Sequence, residues 1–368
     1  MGSLNSWLPL AFFVFLVLFD MQNLAIYLKR KLPIGANPSS DFTILVPIFG
    51  HSKYLANLWY LERYKANTVI VLNTTTPELQ QFASELEGQD WRVHHTAFAG
   101  KISPADMLKA GLGAVQTTYA LRMDGDSYTK DDLALAVGAM EDSGKDLCSV
   151  RVLPSRRKTL AEKMQGVEYD VAMQGRRLRP WFTSGACILG RTEALRHIMN
   201  HHSQWFFGED IEVGMVAKHF RMKVGHIDMP VYTDVPETFR ALAKQRRGWW
   251  AGHFRHSIIN MEHLLHYPVD MAYRLVLIYL LLATKWWEGL AHYWLLPIIM
   301  FLYIFITLLA NWPVRSRWMA LFPPYALCQT LFFPVLGMFY FFQVRRQTGR
   351  PARFKIRLRR QRWQPKTA

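Results

Sequence analysis

The sequence predicts an α/β domain held between apolar helices that cross a membrane. Three observations predict it. Apolar residues gather at the two ends of the 368-residue chain while the middle alternates as a soluble domain does. Between about Asp41 and Val235, short strand-like runs are spaced by longer segments of helical periodicity. Basic clusters follow the apolar runs directly. At this length two or three structural units are expected.

From Trp7 to Leu28 the chain is apolar enough and long enough to cross a bilayer, interrupted only by Asp20, and Lys29, Arg30 and Lys31 come immediately after. The basic flank puts the domain C-terminal to it in the cytosol. There is neither a basic region before the apolar run nor a small-residue cleavage site after it, which argues against a cleaved signal peptide. Residues 1–31 are therefore expected to be an N-terminal transmembrane anchor, and 39–238 a cytosolic domain.

Within that domain FTILVPI, TVIVL, YALRMD and DLCSVRV read as strands, with helices over 104–117 and 130–142 between them. Such alternation predicts a largely parallel sheet covered by helices. Ligands of these sheets bind beyond the C-terminal strand ends. After Pro236 a segment rich in Arg, Lys, Trp and His, taken as 239–268, suits a helix lying in the membrane interface.

Apolar segments near 270–284, 289–311 and 318–343 make 269–343 a C-terminal transmembrane region. The number of crossings stays open. Three would put the basic tail, 344–368, outside, whereas a last segment broken at Pro323, Pro324 and Pro334 returns it to the cytosol.

The formal charge is +16, from 44 Lys and Arg against 28 Asp and Glu. Nucleic acid, anionic lipid and phosphorylated ligands all suit such a balance. Ten basic residues and no acid lie between Arg345 and Lys366, straight after an apolar stretch, which points to anionic lipid. No basic-aromatic motif of a nucleic-acid-binding module is present, so no nucleic-acid partner is expected. Cys148, Cys187 and Cys328 have no metal-ligand spacing and cannot all pair, which fits a reducing, cytosolic setting.

Three motifs carry chemistry. Asp124 and Asp126, in Met-Asp-Gly-Asp-Ser at a strand end, can share a hard divalent ion, Mg or Mn, whose other positions are filled by water and diphosphate oxygens. Such an acidic pair alone is a weak signal, and its place at a strand end strengthens it. Gly208-Glu209-Asp210 opens a helical segment that runs through Phe220. A carboxylate there can take the proton of an attacking sugar hydroxyl, or it can merely serve the helix N-terminus. Gln245-Arg246-Arg247-Gly248-Trp249-Trp250 offers arginines for a leaving diphosphate and indole faces for a sugar ring; anchoring a helix at lipid headgroups accounts for the same composition.

Taken in order, Lys101 in an Ala-Gly-Lys loop, Asp124-Gly-Asp126, Thr183-Ser184-Gly185-Ala186, Gly208-Glu209-Asp210 and Gln245-Arg-Arg-Gly-Trp249 resemble the family 2 glycosyltransferases. Within that family the chain is most similar to the membrane-embedded synthases of hyaluronan, cellulose, chitin and poly-N-acetylglucosamine. The likeness spans roughly residues 42–255. It implies a GT-A fold, Rossmann-like, for the cytosolic domain, a UDP-sugar donor, Mg or Mn, and inversion at the anomeric carbon.

Residue by residue, the resemblance makes Asp124 a nucleotide and metal residue and Asp126 the more direct metal ligand. Asp210 would be the general base. Glu209, Trp249 and Trp250 would lie at the acceptor. Lys101, Gln245, Arg246 and Arg247 would hold the donor. The tail segment Arg362–Thr367 is similar in character to the gating elements of these synthases. Three departures stand out: Val71-Leu72-Asn73-Thr74-Thr75 lacks the acids that contact the base, Pro47-Ile48-Phe49-Gly50-His51 replaces the usual Asn-Glu turn, and Gly248 stands where Arg precedes Trp.

The function this implies is inverting transfer of a hexose or N-acetylhexosamine from a UDP-sugar to a growing polysaccharide at the cytosolic membrane face. Transfer of one sugar to a polyprenyl phosphate or ceramide-like lipid is the alternative. A membrane-anchored scaffold with a degenerate transferase domain is a third reading, from a different class.

Overall fold

The computed structural model describes residues 32–264 and 316–356, scattered positions between 301 and 314, and residues 362–363. The predicted segments Trp7–Leu28 and 270–284, most of 289–311, and the tail beyond Trp363 lie outside the described residues.

Strands run over Phe42–Ile48 (β1), Thr68–Asn73 (β2), Arg92–Thr96 (β3), Tyr119–Met123 (β4), Tyr128–Thr129 (β5), Leu147–Pro154 (β6), Cys187–Arg191 (β7) and Val224–Thr233 (β8). Helices occupy Leu58–Leu61 (α1), Pro77–Gly88 (α2), Pro104–Gly111 (α3), Leu133–Asp142 (α4), Leu160–Leu178 (α5), Thr192–His201 (α6), Glu209–His219 (α7), Phe239–Phe254 (α8) and Phe322–Thr348 (α9). The chain divides into two compact units. Among the described residues, a sheet unit lies within Lys31–Arg156, Arg179–Val235 and Gln347–Ala368, and a helical unit within Arg157–Leu178 and Pro236–Arg346.

The sheet unit is built on eight strands in the order β3-β2-β1-β4-β7-β6-β8-β5. β1, β2 and β4 are buried at every position, as continuous Val, Ile and Leu runs are when both faces of a sheet are covered. Three of the four predicted strands pair in parallel across β1, β2 and β4. The sheet is nevertheless mixed, because β7 runs antiparallel to both β4 and β6. A short apolar run such as Cys-Ile-Leu-Gly carries no directional signal of its own. The reversal matters for the site: Met123 at the end of β4 faces Cys187 at the start of β7, so the residues before β7 meet those after β4.

The helices of this unit begin where their caps dictate. Ser103 accepts from the Asp106 amide while the Asp106 carboxylate accepts from the Ser103 amide, and Pro104 fills the first helical position. α3 ends at Gly111, short of the predicted 117, where a side chain would strike Val71 of β2 at 2.6 Å. α4 starts at Leu133 because Asp132 caps it through the Ala134 amide.

In the helical unit Val167 of α5 packs against Val314 and Met319. α8 is followed by a π-helical turn at Arg255–Ile259. Of the two alternatives for 318–343, the break at the prolines is not seen over Phe322–Thr348. Pro323 and Pro324 fall in the first turn of α9, where amide hydrogens have no intrahelical acceptor, and the helix continues through Pro334. Among the described residues no helix is long and apolar enough to cross a membrane.

Candidate active site

Asp124 leaves β4 at the end of the sheet where β1 also ends and β7 begins. Its amide donates to the Ala186 carbonyl at 3.1 Å, which joins the Asp-Gly-Asp turn to Thr183-Ser184-Gly185-Ala186. The turn is clamped from the other side. The Ala56 and Asn57 amides donate to the Gly125 carbonyl at 2.7 and 2.9 Å, and the Asn57 side-chain amide donates to the Asp124 carbonyl at 3.2 Å. Only glycine fits at 125, since a Cβ would lie 2.3 Å from the Tyr54 carbonyl oxygen.

Asp126 accepts from Thr233 Oγ1 at 3.1 Å, at the end of β8, and from Ser127 Oγ at 3.2 Å. Burial, and then the neighbouring Asp124 carboxylate, push its carboxyl up to about 6. Two crowded carboxylates with only oxygen donors form a set that suits a hard divalent cation.

Glu209 and Asp210 open α7. Gly208 precedes them in the left-handed conformation, φ 67°, and no side chain caps the helix. Asp210 does not serve its own helix end. Its Oδ2 accepts from the Gly185 amide at 3.0 Å, and its carbonyl accepts from Thr183 Oγ1. The Thr-Ser-Gly-Ala segment thereby touches Asp124 through Ala186 and Asp210 through Gly185.

Arg122, two residues before Asp124, supplies the charge balance. Its side chain is 4% exposed, its Nη2 lies 3.2 Å from Asp124 Oδ1, and its Nη1 lies 3.4 Å from Glu209 Oε1. Asp124, Glu209 and Asp210 all act on this guanidinium. Burial and the adjacent Asp210 carboxylate push the Glu209 carboxyl upward, against the pull of Arg122. Sequence reading missed Arg122. Its signal was a cation inside an otherwise apolar strand.

Lys101 stands in the loop after β3, its ammonium 5.2 Å from the Phe206 ring centroid and 5.7 Å from that of Phe207. Asn73 anchors this loop by accepting from the Phe98 amide at 2.8 Å and donating to the Phe98 carbonyl at 3.2 Å. The sheet unit thus gathers Lys101, Asp124, Asp126, Glu209 and Asp210 about its C-terminal strand ends and the start of α7.

The other expected site residues belong to α8 of the helical unit. Arg246 is buried there, paired with Glu168 at 2.7 Å, donating to Gln329 Oε1 at 3.1 Å and Gln245 Oε1 at 2.9 Å, with its guanidinium 3.8 Å over the Trp249 ring. Arg247 lies 4.0 Å over the Tyr340 ring. Trp249 is 40% exposed, and Trp250 packs near His253 and against Gly337.

Residues 121–343 match the family described as glycosyl transferase family group 2. Among solved structures the fold resembles the mannosyltransferase PcManGT from Pyrobaculum calidifontis, in complex with GDP-Man and Mn2+. That likeness has TM-score 0.51 and 15% identity, over 91% of this chain and 95% of that one. TarS 1–349 from S. aureus, in complex with UDP-GlcNAc, aligns with TM-score 0.42 and 15% identity, over 83% and 92% of the two chains. No curated protein matches the chain by sequence. The family match covers more than half of the chain and contains Asp124, Asp126, Asp210 and the Gln245–Trp249 motif, so this chain belongs to glycosyl transferase family group 2 and is a glycosyltransferase.

Proposed function

We propose that the enzyme transfers a hexose or N-acetylhexosamine from a UDP-sugar to a growing glycan, with inversion, at the cytosolic face of a membrane in which the apolar ends of the chain are embedded. The observation that carries this reading is the joining of Asp124 and Asp210 through a single segment, Gly185-Ala186. Donor-side and acceptor-side carboxylates are thereby fixed on one scaffold.

Asp124 and Asp126 are the residues that would hold Mg or Mn. Among the described residues no group of three or more His, Cys, Asp or Glu is arranged for a metal, so the diphosphate and water would complete the coordination. When bound, the cation supplies positive charge beside the departing diphosphate. Mn2+ accompanies GDP-Man in the mannosyltransferase of similar fold.

Asp210 takes the proton from the acceptor hydroxyl as that oxygen attacks the anomeric carbon. The Gly185 amide holds its carboxylate in place. Lys101 faces the donor diphosphate. Alignment of the two sugars in a site that excludes water is the protein's main contribution.

The membrane placement is supported by the charge of +16, by the basic residues between Arg345 and Lys366 other than Arg350 and Lys355, and by the apolar runs near both ends. The experiment is nucleotide release by detergent-purified protein over a panel of UDP-sugars and GDP-mannose, with Mn or Mg, followed by sizing of labelled product. High-mass label from a UDP-sugar is expected. Label in a lipid extract would replace the polymer with a lipid acceptor, and turnover of GDP-mannose alone would overturn the UDP donor.

A further inference from the structure

The segment after α9 has no task in the proposed reaction, yet it belongs to the sheet unit and is fastened there. Ala352, Phe354 and Ile356 are buried. Arg350 Nη1 donates to Asp106 Oδ2 at 2.6 Å and to the Gln204 carbonyl at 2.7 Å, and its guanidinium lies 4.8 Å from the Phe206 ring centroid. Lys355 Nζ donates to Gln204 Oε1 at 3.3 Å. Every one of these contacts except that to Asp106 falls on the loop 202–208, which runs into Glu209 and Asp210.

The shape of that loop is not one its sequence prefers. Gln204 sits at φ 60° and Gly208 at φ 67°. Glycine adopts the left-handed region freely, but for glutamine it is unfavourable and is kept only where surrounding structure holds it. Between these two residues lies Trp205-Phe206-Phe207. Phe206 is packed beside Trp205 at 5.4 Å and is met by Lys101 and Arg350. Asp106 gives Arg350 a firm foothold, because its carboxylate is already fixed in the capping box of α3.

We infer that Arg350 is a positioning residue: by binding the Gln204 carbonyl and covering Phe206, it holds loop 202–208 in the conformation that presents Glu209 and Asp210 to the acceptor. The inference rests on the transferase reading for its consequence in turnover. Arg350 itself touches neither sugar, and Lys355 is a second fastening on the same glutamine.

The test uses the full-length protein in detergent and the substitution Arg350→Gln. Amides across 202–210 are expected to exchange hydrogen faster than in the wild type. Turnover should fall by about 10- to 100-fold, the scale of a misplaced catalytic group, with the donor KM unchanged. Gln204→Asn, which lowers the cost of the left-handed backbone while keeping a side-chain amide, should restore part of the protection and turnover in the Arg350→Gln background. Arg350→Lys, which keeps the charge beside Asp106, guards against loss of folding and should lie between wild type and Arg350→Gln.

Unchanged exchange in Arg350→Gln, or no recovery on adding Gln204→Asn, would overturn the inference. Exchange is read without substrate, so absence of turnover with every donor would sink the transferase reading while leaving this comparison decisive.

Discussion

Arg122 and Glu209 stand 87 positions apart in sequence and meet at 3.4 Å in the interior of the sheet unit. The same guanidinium reaches Asp124, so one buried cation joins Asp124 to Glu209. Removing it would leave the Glu209 carboxylate in low dielectric with no counter-charge. Arg122→Met is therefore expected to cost about 3–5 kcal/mol, the scale seen when one partner of a buried pair is deleted. Chemical denaturation checks this. Adding Glu209→Gln should recover part of the loss, and costs of the two single variants that simply add up in the double variant would show that the pair is not coupled.

Asp210→Asn keeps the size of the side chain and an oxygen for the Gly185 amide, but removes the proposed general base. Transfer is expected to drop by about 10²- to 10⁴-fold. UDP affinity, measured by calorimetry, should stay within a few-fold of wild type, because Asp124, Asp126 and Lys101 are untouched. Normal turnover in this variant would take Asp210 out of the role.

How much of this was legible in the sequence depends on range. The strands β1, β2 and β4 announce themselves as apolar runs, and Asp124, Asp126 and Asp210 stand in short motifs. The direction of β7 is not local information, yet it is what brings Ala186 to Asp124. Arg122 was visible as a polar residue in a buried strand, although its partner Glu209 could be found only in three dimensions. Arg350 was read as one charge among ten facing lipid, because sequence gives no sign that Asp106 and Gln204 are its partners. Arg246 illustrates the opposite case: the motif drew attention to it, and Glu168 was invisible.

A pH prediction comes from Glu78, near the start of α2. Its carboxylate accepts from Ser52 Oγ at 2.7 Å, the Ser52 amide at 2.9 Å and His51 Nδ1 at 3.1 Å. These bonds, led by the Ser52 hydroxyl, bring its pKa down to about 2. A depressed carboxyl contributes stability above its ordinary range, and that stability is lost as pH falls toward the folded-state value. Wild type should therefore exceed Glu78→Gln in stability by a constant margin from pH 7 to about 5, with the margin vanishing toward pH 2. Urea titrations of both proteins across that window decide it. A margin that does not change with pH would mean the bonds do not depend on the charge. The loop held this way carries Tyr54, whose carbonyl covers Gly125, so the same variant should also loosen the Asp-Gly-Asp turn.

The last prediction separates two roles for Arg246. As a phosphate ligand it would have donors to spare, yet the structure commits it to Glu168, Gln329 and Gln245, with Tyr325 also donating to Glu168 at 2.8 Å. A cation so paired is a fixture of the helical unit. Glu168→Met, which strands the buried guanidinium, should cost about 3–5 kcal/mol, whereas the double variant Glu168→Met with Arg246→Met should regain most of that, since a buried ion pair is often replaced by apolar side chains at little cost. If Arg246 acts only in this packing, the double variant keeps wild-type donor affinity. A loss of more than about tenfold in UDP affinity, with stability restored, would return Arg246 to the diphosphate.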